Sequence, residues 1–229
     1  MIGPEFPQIE ATIPDDHSRK SDSVQLLSEI LGDRETVDIL DLGCGDGRGL
    51  DVIKRLSPGA RYTGVDIETS PEVAERTRSD GTFLTYNGVD LPFDDQSFDV
   101  VYSHQVFEHV RHPDRVTQEV RRVLRPGGTF VGSMSNLEPY HSFSIFNYTP
   151  YGVFRLIADN DLTLRTMRPG AESTSLIMRQ LSMRRIKRLS LIYPAIDLAG
   201  RLRKWPARQR NYMKLRFSGH ICFIATRDT

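Results

Sequence analysis

Apolar positions recur along the chain at two different spacings, and the change between them marks out helices alternating with short strands. Residues 23–31 set Val24, Leu27, Ile30 and Leu31 on one helical face, with Gly32 as a stop. Residues 37–42 are mostly apolar and short, the pattern of a buried strand. Leu50, Ile53 and Leu56 mark the next helix, ended by Ser57-Pro58-Gly59, and residues 62–67 give a second strand. Further on, the pattern predicts a helix over 71–78, a strand over 82–86 and a strand over 98–103. A helix capped by Asp114 carries Val116, Val120, Val123 and Leu124 on one face. Arg125-Pro126-Gly127-Gly128 then turns the chain into a strand over 129–133. A helix opening at Thr149-Pro150, a strand over 162–167 and a closing strand over 217–226 complete the reading. Strands separated by helices in this way imply an α/β protein with a largely parallel sheet.

The length, 229 residues, suits one such domain with modest additions. No apolar run approaches the roughly 20 residues of a membrane-spanning helix. The N-terminus lacks a basic-then-apolar leader, so a cytoplasmic protein is expected. Cys44 and Cys222 are two thiols far apart in sequence and are expected to be reduced and structural, with no disulfide framework and no metal site. Residues 1–22 are polar, contain Pro4, Pro7 and Pro14 and show no helical period. They read as an arm, either solvated or closing as a lid through His17, Arg19 and Lys20.

Charge alters this picture at one place. The formal net charge is zero, yet residues 179–216 hold twelve Arg or Lys against the single acid Asp197, a local excess of +11. This basic insertion, at about 171–216, contains two stretches, 181–189 and 191–205, compatible with amphipathic helices. It reads as a solvated helical cap, as a patch for an anionic membrane surface, or, with less support, as a nucleic-acid contact.

The chemistry is expected at Val37-Asp38-Ile39-Leu40-Asp41-Leu42-Gly43-Cys44-Gly45-Asp46-Gly47-Arg48-Gly49, a strand breaking into a glycine loop that opens a helix. Glycines permit positive φ and let a ligand approach the backbone, and the helix start offers unpaired N–H groups. Nicotinamide-binding folds use similar loops. Asp41, however, puts a carboxylate where a pyrophosphate site has none, which suits a cationic ligand. Asp66 lies 19 residues beyond Gly47 at a strand end, the distance at which a carboxylate meets ribose hydroxyls.

Ile39-Leu40-Asp41-Leu42-Gly43-Cys44-Gly45-Asp46-Gly47 closely resembles the first motif of class I S-adenosylmethionine-dependent methyltransferases, whose cofactor carries a sulfonium and an α-ammonium. The resemblance extends over about residues 36–136. It implies a Rossmann-like, doubly wound, seven-stranded sheet, mostly parallel, with the last strand inserted antiparallel. It also implies S-adenosylmethionine as cofactor, held by Asp41, Gly43, Cys44 and Gly45, by Asp66 and Ile67, and by Asn87, Gly88 and Val89. Asn87 stands by register where the family has an Asp, and its carbonyl is expected to accept from the adenine amino group, while Asp90 shapes the turn. Ser103 and His104 fall beside the cofactor at a strand end. His109 matches a common histidine of the family with a structural role. For methyl transfer to a hydroxyl, His104 and His141 are the candidate bases. The expected acceptor is a small molecule or glycan, lipid- or phosphate-linked ones included, with metal-independent O-methylation favoured over N- or C-methylation. A nicotinamide oxidoreductase lacks room for a substrate domain at this length. A non-catalytic protein docking on membrane or RNA is the remaining alternative.

Overall fold

A computed structural model describes residues 2–17, 20–32, 34–139, 142–186 and 189–229. Its helices are α1 (Phe6–Ile9), α2 (Ser23–Leu31), α3 (Gly49–Leu56), α4 (Pro71–Ala74), α5 (Pro113–Val123), α6 (Pro150–Ala158), α7 (Ser173–Leu181), α8 (Ile192–Leu202) and α9 (Ala207–Arg216). Its strands are β1 (Asp38–Leu42), β2 (Arg61–Ile67), β3 (Thr82–Tyr86), β4 (Phe98–His104), β5 (Leu124–Ser135), β6 (Thr163–Pro169) and β7 (His220–Thr226). They form one sheet in the order β3-β2-β1-β4-β5-β7-β6. β7 runs antiparallel to both β5 and β6, and the other pairs are parallel. The seven-stranded sheet with one inverted last strand is as expected.

Strand alternation sorts the core into two halves. Ile39, Val100, Tyr102 and Val131 pack with Leu26, Leu27, Leu31, Leu50 and Ile53 of α2 and α3. Leu40, Leu42, Val101 and Phe130 point the other way, onto Val116, Val120, Val153, Ile157 and Leu215 of α5, α6 and α9. Strand order reverses between β1 and β4, so a crevice opens at the carboxyl ends of these strands, the usual ligand position in open α/β sheets.

Several local expectations change. The helix expected over 71–78 stops at Ala74, because Arg76 and Arg78 are drawn back onto the glycine loop. His112, not Asp114, is the N-cap of α5. Pro113 takes the first turn, and Asp114 sits inside it, where its charge suits the helix dipole. Of the stretch 181–189, residues 182–186 are not helical, since α7 ends at Leu181 and Met183 and Arg184 turn the chain at positive φ, while 187 and 188 lie outside the described residues. α8 covers most of the second stretch, 191–205, and α9 is an additional helix that delays the last strand to His220. Residues 2–17 lie against the body. Phe6, Ile9 and Ile13 are buried in the core, and the Phe6 ring packs 4.8 Å from Tyr212. Asn211 Nδ2 donates to the carbonyls of Pro14 and Asp16, and Arg168 pairs with Asp16. Of the arm residues named above, Arg19 lies outside the described residues.

Candidate active site

The glycine loop is fastened to the neighbouring strand. Gly43 N and Cys44 N both donate to Val65 O, at 2.8 and 3.2 Å. Gly43 sits at φ +79°, and a Cβ there would lie 2.2 Å from a Val106 methyl, so both the backbone and the space require glycine. Arg76 Nη1 donates to Gly45 O at 3.1 Å while its guanidinium covers the Phe83 ring. Arg78 Nη1 donates to Gly47 O at 2.9 Å and pairs with Asp51 and Asp80. These two arginines, which satisfy loop carbonyls, carry no signature in the sequence.

The acids at the strand tips divide their tasks. Asp41 shares its strand face with Ile39, so its carboxyl turns beneath the loop, 4% exposed, and accepts from Tyr62 Oη at 2.8 Å. A Cβ on Gly49 would lie 2.1 Å from Asp41 Oδ2, so the carboxyl sits directly under the first turn of α3. Burial lifts its pKa to about 7, with Tyr62 opposing and the Asp66 charge adding. Asp66 Oδ2 accepts from Gly45 N and Oδ1 from Ile67 N, both at 2.7 Å. Burial raises its pKa and these two bonds lower it. Cys44 is buried, its thiol pushed up to about 12 chiefly by burial, so it is held as a thiol.

Beyond Asp66, Ile67 is 38% exposed, and a Cβ on Gly88 would meet its methyl at 3.6 Å. The two form an apolar shelf. Asn87 lies at the rim. Its Oδ1 accepts from Val89 N and Asp90 N, at 2.9 and 2.7 Å, and its Nδ2 donates to Asp90. The turn-shaping role expected of Asp90 thus falls to Asn87, whose carbonyl is engaged in it.

A second cluster gathers at the ends of β4, β5 and β7. His104 is the last residue of β4, with Nδ1 at 2.7 Å from Ser23 Oγ and 3.0 Å from Ser133 Oγ. Burial, then the nearby His220, lowers its pKa, which keeps the imidazole neutral at pH 7. Next to it Ser103 is 2% exposed, and its Oγ makes no hydrogen bond among the described residues. Gln105, at φ +56°, bridges the cluster. With its amide nitrogen turned to the carboxylates it donates to Glu108 Oε1 and Glu138 Oε2, at 3.1 and 3.2 Å, and its oxygen accepts from Ser133 Oγ. Glu138 Oε2 lies 2.7 Å from Ser135 Oγ and 2.9 Å from His220 Nε2.

Glu138 also lines a cleft of about 640 Å³ with Leu137, Pro139, Ile177, Gln180 and Leu181. Ile145 N and Phe146 N donate to Glu108 O and tie the segment after β5 to the turn at the end of β4. A largely apolar cleft with one carboxylate tied to a histidine is suited to orienting an apolar molecule by a single polar group. Of the sequence candidates, His104, Ser103, Asp66, Ile67 and the glycines converge on this end of the sheet. His141 lies outside the described residues. His109 is half-buried in the 3₁₀ turn Phe107–His109. Glu138 and His220 escaped the sequence reading. Glu138 stands three residues from His141 in the segment already suspected, whereas His220 had no local signal.

Residues 40–132 match the family described as a methyltransferase domain. The matched segment runs from β1 into β5 and holds the glycine loop, so this part of the chain is similar to S-adenosylmethionine-dependent methyltransferase domains. Among curated proteins, a probable S-adenosylmethionine-dependent methyltransferase of Mycolicibacterium smegmatis is 34% identical over 117 residues, 46% of this chain and 45% of that protein. The phthiotriol/phenolphthiotriol dimycocerosates methyltransferase of Mycobacterium tuberculosis is 39% identical over 95 residues, 40% and 35% of the two chains. The chain thus spans less than half the length of these relatives. Geranyl diphosphate C-methyltransferase from Streptomyces coelicolor, solved with Mg2+, geranyl diphosphate and S-adenosyl-L-homocysteine, shares the fold. Its TM-score is 0.57 at 18% identity, covering 89% of this chain and 79% of that one.

The cradle fits S-adenosylmethionine. The Ile67–Gly88 shelf would take the adenine, and Asp66, half-buried and bonded among the described residues to the backbone N–H groups of Gly45 and Ile67, would take ribose hydroxyls. The bare backbone of Gly43 to Gly45 would hold the amino-acid end.

Proposed function

We propose that the protein methylates a hydroxyl oxygen on an apolar small molecule. The observation that carries this reading is the position of Glu138, at once in the wall of the apolar cleft and in the network of Ser135, Gln105 and His220. When bound, the cofactor supplies a methyl group already activated on sulfur. What remains for the protein is alignment and the removal of one proton. Leu137, Pro139, Ile177 and Leu181 hold the acceptor's hydrocarbon. Glu138 receives the hydroxyl hydrogen bond, and the proton passes to the Glu138–His220 pair. His104, neutral and anchored by Ser23 and Ser133, stands at the end of β4, and His141 follows Glu138 by three residues in sequence. Asn147, Ser173 and Gln180 add polar groups to the same walls, so a lipid-linked glycan could place its lipid on the apolar part. Relatives named for dimycocerosate and geranyl acceptors agree with a hydrocarbon-bearing substrate.

The test is transfer of radiolabelled methyl from S-adenosylmethionine to a panel of long-chain phenols, quinols and polyprenols, beside amine and carbon acceptors. Glu138→Gln is expected to lower kcat by at least 10²-fold, the usual share of general-base help, while binding of S-adenosylhomocysteine is unchanged. Labelling confined to nitrogen or carbon acceptors, or a Glu138→Gln enzyme with full kcat, overturns the proposal.

A further inference from the structure

The outer stripe of α8 combines two properties that solvated surfaces keep apart. Leu191 is 58% exposed, Leu198 61% and Leu202 77%, and before the helix Leu181 and Met183 are exposed as well. On α8 the exposed positions 191, 198 and 202 lie opposite the buried Tyr193, Ile196 and Gly200, so the apolar stripe is the helix's outward face. Around it stand the exposed Arg184, Arg185, Arg201, Arg203 and Lys204.

Among the described residues no acid forms an ion pair with these five side chains. Asp197, the one acid in 179–216, is engaged by Lys214 Nζ at 2.8 Å, and Lys214 is 2% exposed. The Glu172 carboxylate is turned inward beneath the start of α8. Part of the basic excess is therefore engaged elsewhere: the buried Lys214 pairs with Asp197, the half-buried Arg208 donates to Ile13 O, and the exposed Arg216 lies over the Tyr212 ring. What remains outside is concentrated next to the exposed leucines.

We infer that this face docks on an anionic lipid bilayer, with Leu191, Leu198 and Leu202 entering the acyl boundary and the arginines meeting headgroup phosphates. A merely solvated cap would not leave three large apolar side chains more than half exposed along one stripe of a helix. Single-stranded nucleic acid needs an open aromatic platform, and the Trp205 ring on this side is covered by the Arg203 guanidinium at 5.4 Å. Among the described residues no helix is long and apolar enough to cross a membrane, so the contact is a surface one.

The docking surface stands without the function proposed above.

Flotation of the full chain with phosphatidylcholine vesicles, and with vesicles containing 30 mol% phosphatidylglycerol, tests the surface without cofactor or acceptor. Binding is expected only to the anionic vesicles, weakening as salt rises. Arg201→Gln with Arg203→Gln is expected to lower the partition coefficient about 25-fold, about fivefold per charge. Leu198→Ser with Leu202→Ser is expected to lower it while leaving the salt dependence unchanged. All four positions are exposed, and circular dichroism confirms that the variants fold. Failure to float with anionic vesicles, equal binding to neutral ones, salt-sensitive binding to single-stranded RNA in preference to vesicles, or a dimer that buries this face overturns the inference. Since the transferase assay uses detergent-dispersed acceptor, either result can fail while the other stands.

Discussion

Replacing Glu172 by Ala is expected to loosen the whole basic insertion. Glu172 precedes α7, yet its carboxylate accepts from Leu191 N, Ile192 N and Tyr193 N at 2.8 to 2.9 Å and from Ser190 Oγ at 2.7 Å, with Thr174 Oγ1 also bonded. One side chain thus caps α8 and ties it to the start of α7. The residue is 3% exposed. Burial alone would raise its pKa, but these bonds outweigh it and bring the carboxyl down to about 2. Truncation leaves three N–H groups without an acceptor. Because Ser190 and Leu191 are exposed and water reaches the edge of the site, the low end of the usual 1–3 kcal/mol per orphaned donor applies, about 3 kcal/mol in all. At 2–4 °C per kcal/mol for a chain of this size, Tm should fall by about 6–12 °C. Glu172→Gln keeps an acceptor without charge and should cost about half as much.

The depressed folded pKa fixes the sign with pH. The stabilisation is full above the ordinary glutamate value near 4.5 and is lost as pH falls toward about 2. Scanning calorimetry of wild type and Glu172→Ala at pH 7 and pH 3, with hydrogen exchange at residues 191–193, measures both effects. An unchanged Tm with unchanged protection at those amides, or a gap as large at pH 3 as at pH 7, would refute the reasoning.

Other substitutions probe the cradle. Asp66→Ala should weaken S-adenosylhomocysteine by about 10- to 150-fold in calorimetric titration, the loss of one charged hydrogen-bond partner at 1.5–3 kcal/mol; an unchanged Kd removes Asp66 from the ribose role. Gly43→Ala should abolish cofactor binding and cost at least the 1–2 kcal/mol of a left-handed non-glycine residue, and Gly43→Ala with Val106→Ala should recover only the steric part. Asp41→Asn should match wild type in Tm near pH 4 and exceed it near pH 8. The raised carboxyl pKa, about 7, makes the wild type lose stability as pH rises from about 4 toward 7, and Asn has no charge to bury. A Tm difference constant over that range would show that Asp41 is not the titrating group.

Local rules account for what was legible along the chain. α2 and β3 fall on their expected residues, and β1, β2, β4 and α6 within a residue or so, because a helical face or a short apolar run needs only neighbours in sequence to declare itself. The glycine loop was readable for the same reason, since positive φ and close approach are properties of the glycines themselves. Where a side chain points, and whom it meets, was not readable. The pleat sends Asp41 under the loop to Tyr62, Asn87 spends its carbonyl on its own turn, and Arg76 and Arg78 end a helix early to bind loop carbonyls. Phe6, Ile9 and Ile13 looked like a polar arm's stray apolar residues until α9 and β6 provided a wall for them. Glu138 and His220 are 82 residues apart and meet only because β7 enters antiparallel beside β5, setting Ser135 opposite His220. The sequence by itself determined the alternation of elements and the cofactor loop. Only the tertiary structure decided the cleft beside Glu138, the exposed apolar stripe of α8, and the partner of each buried charge, because those depend on contacts between segments that no local pattern encodes.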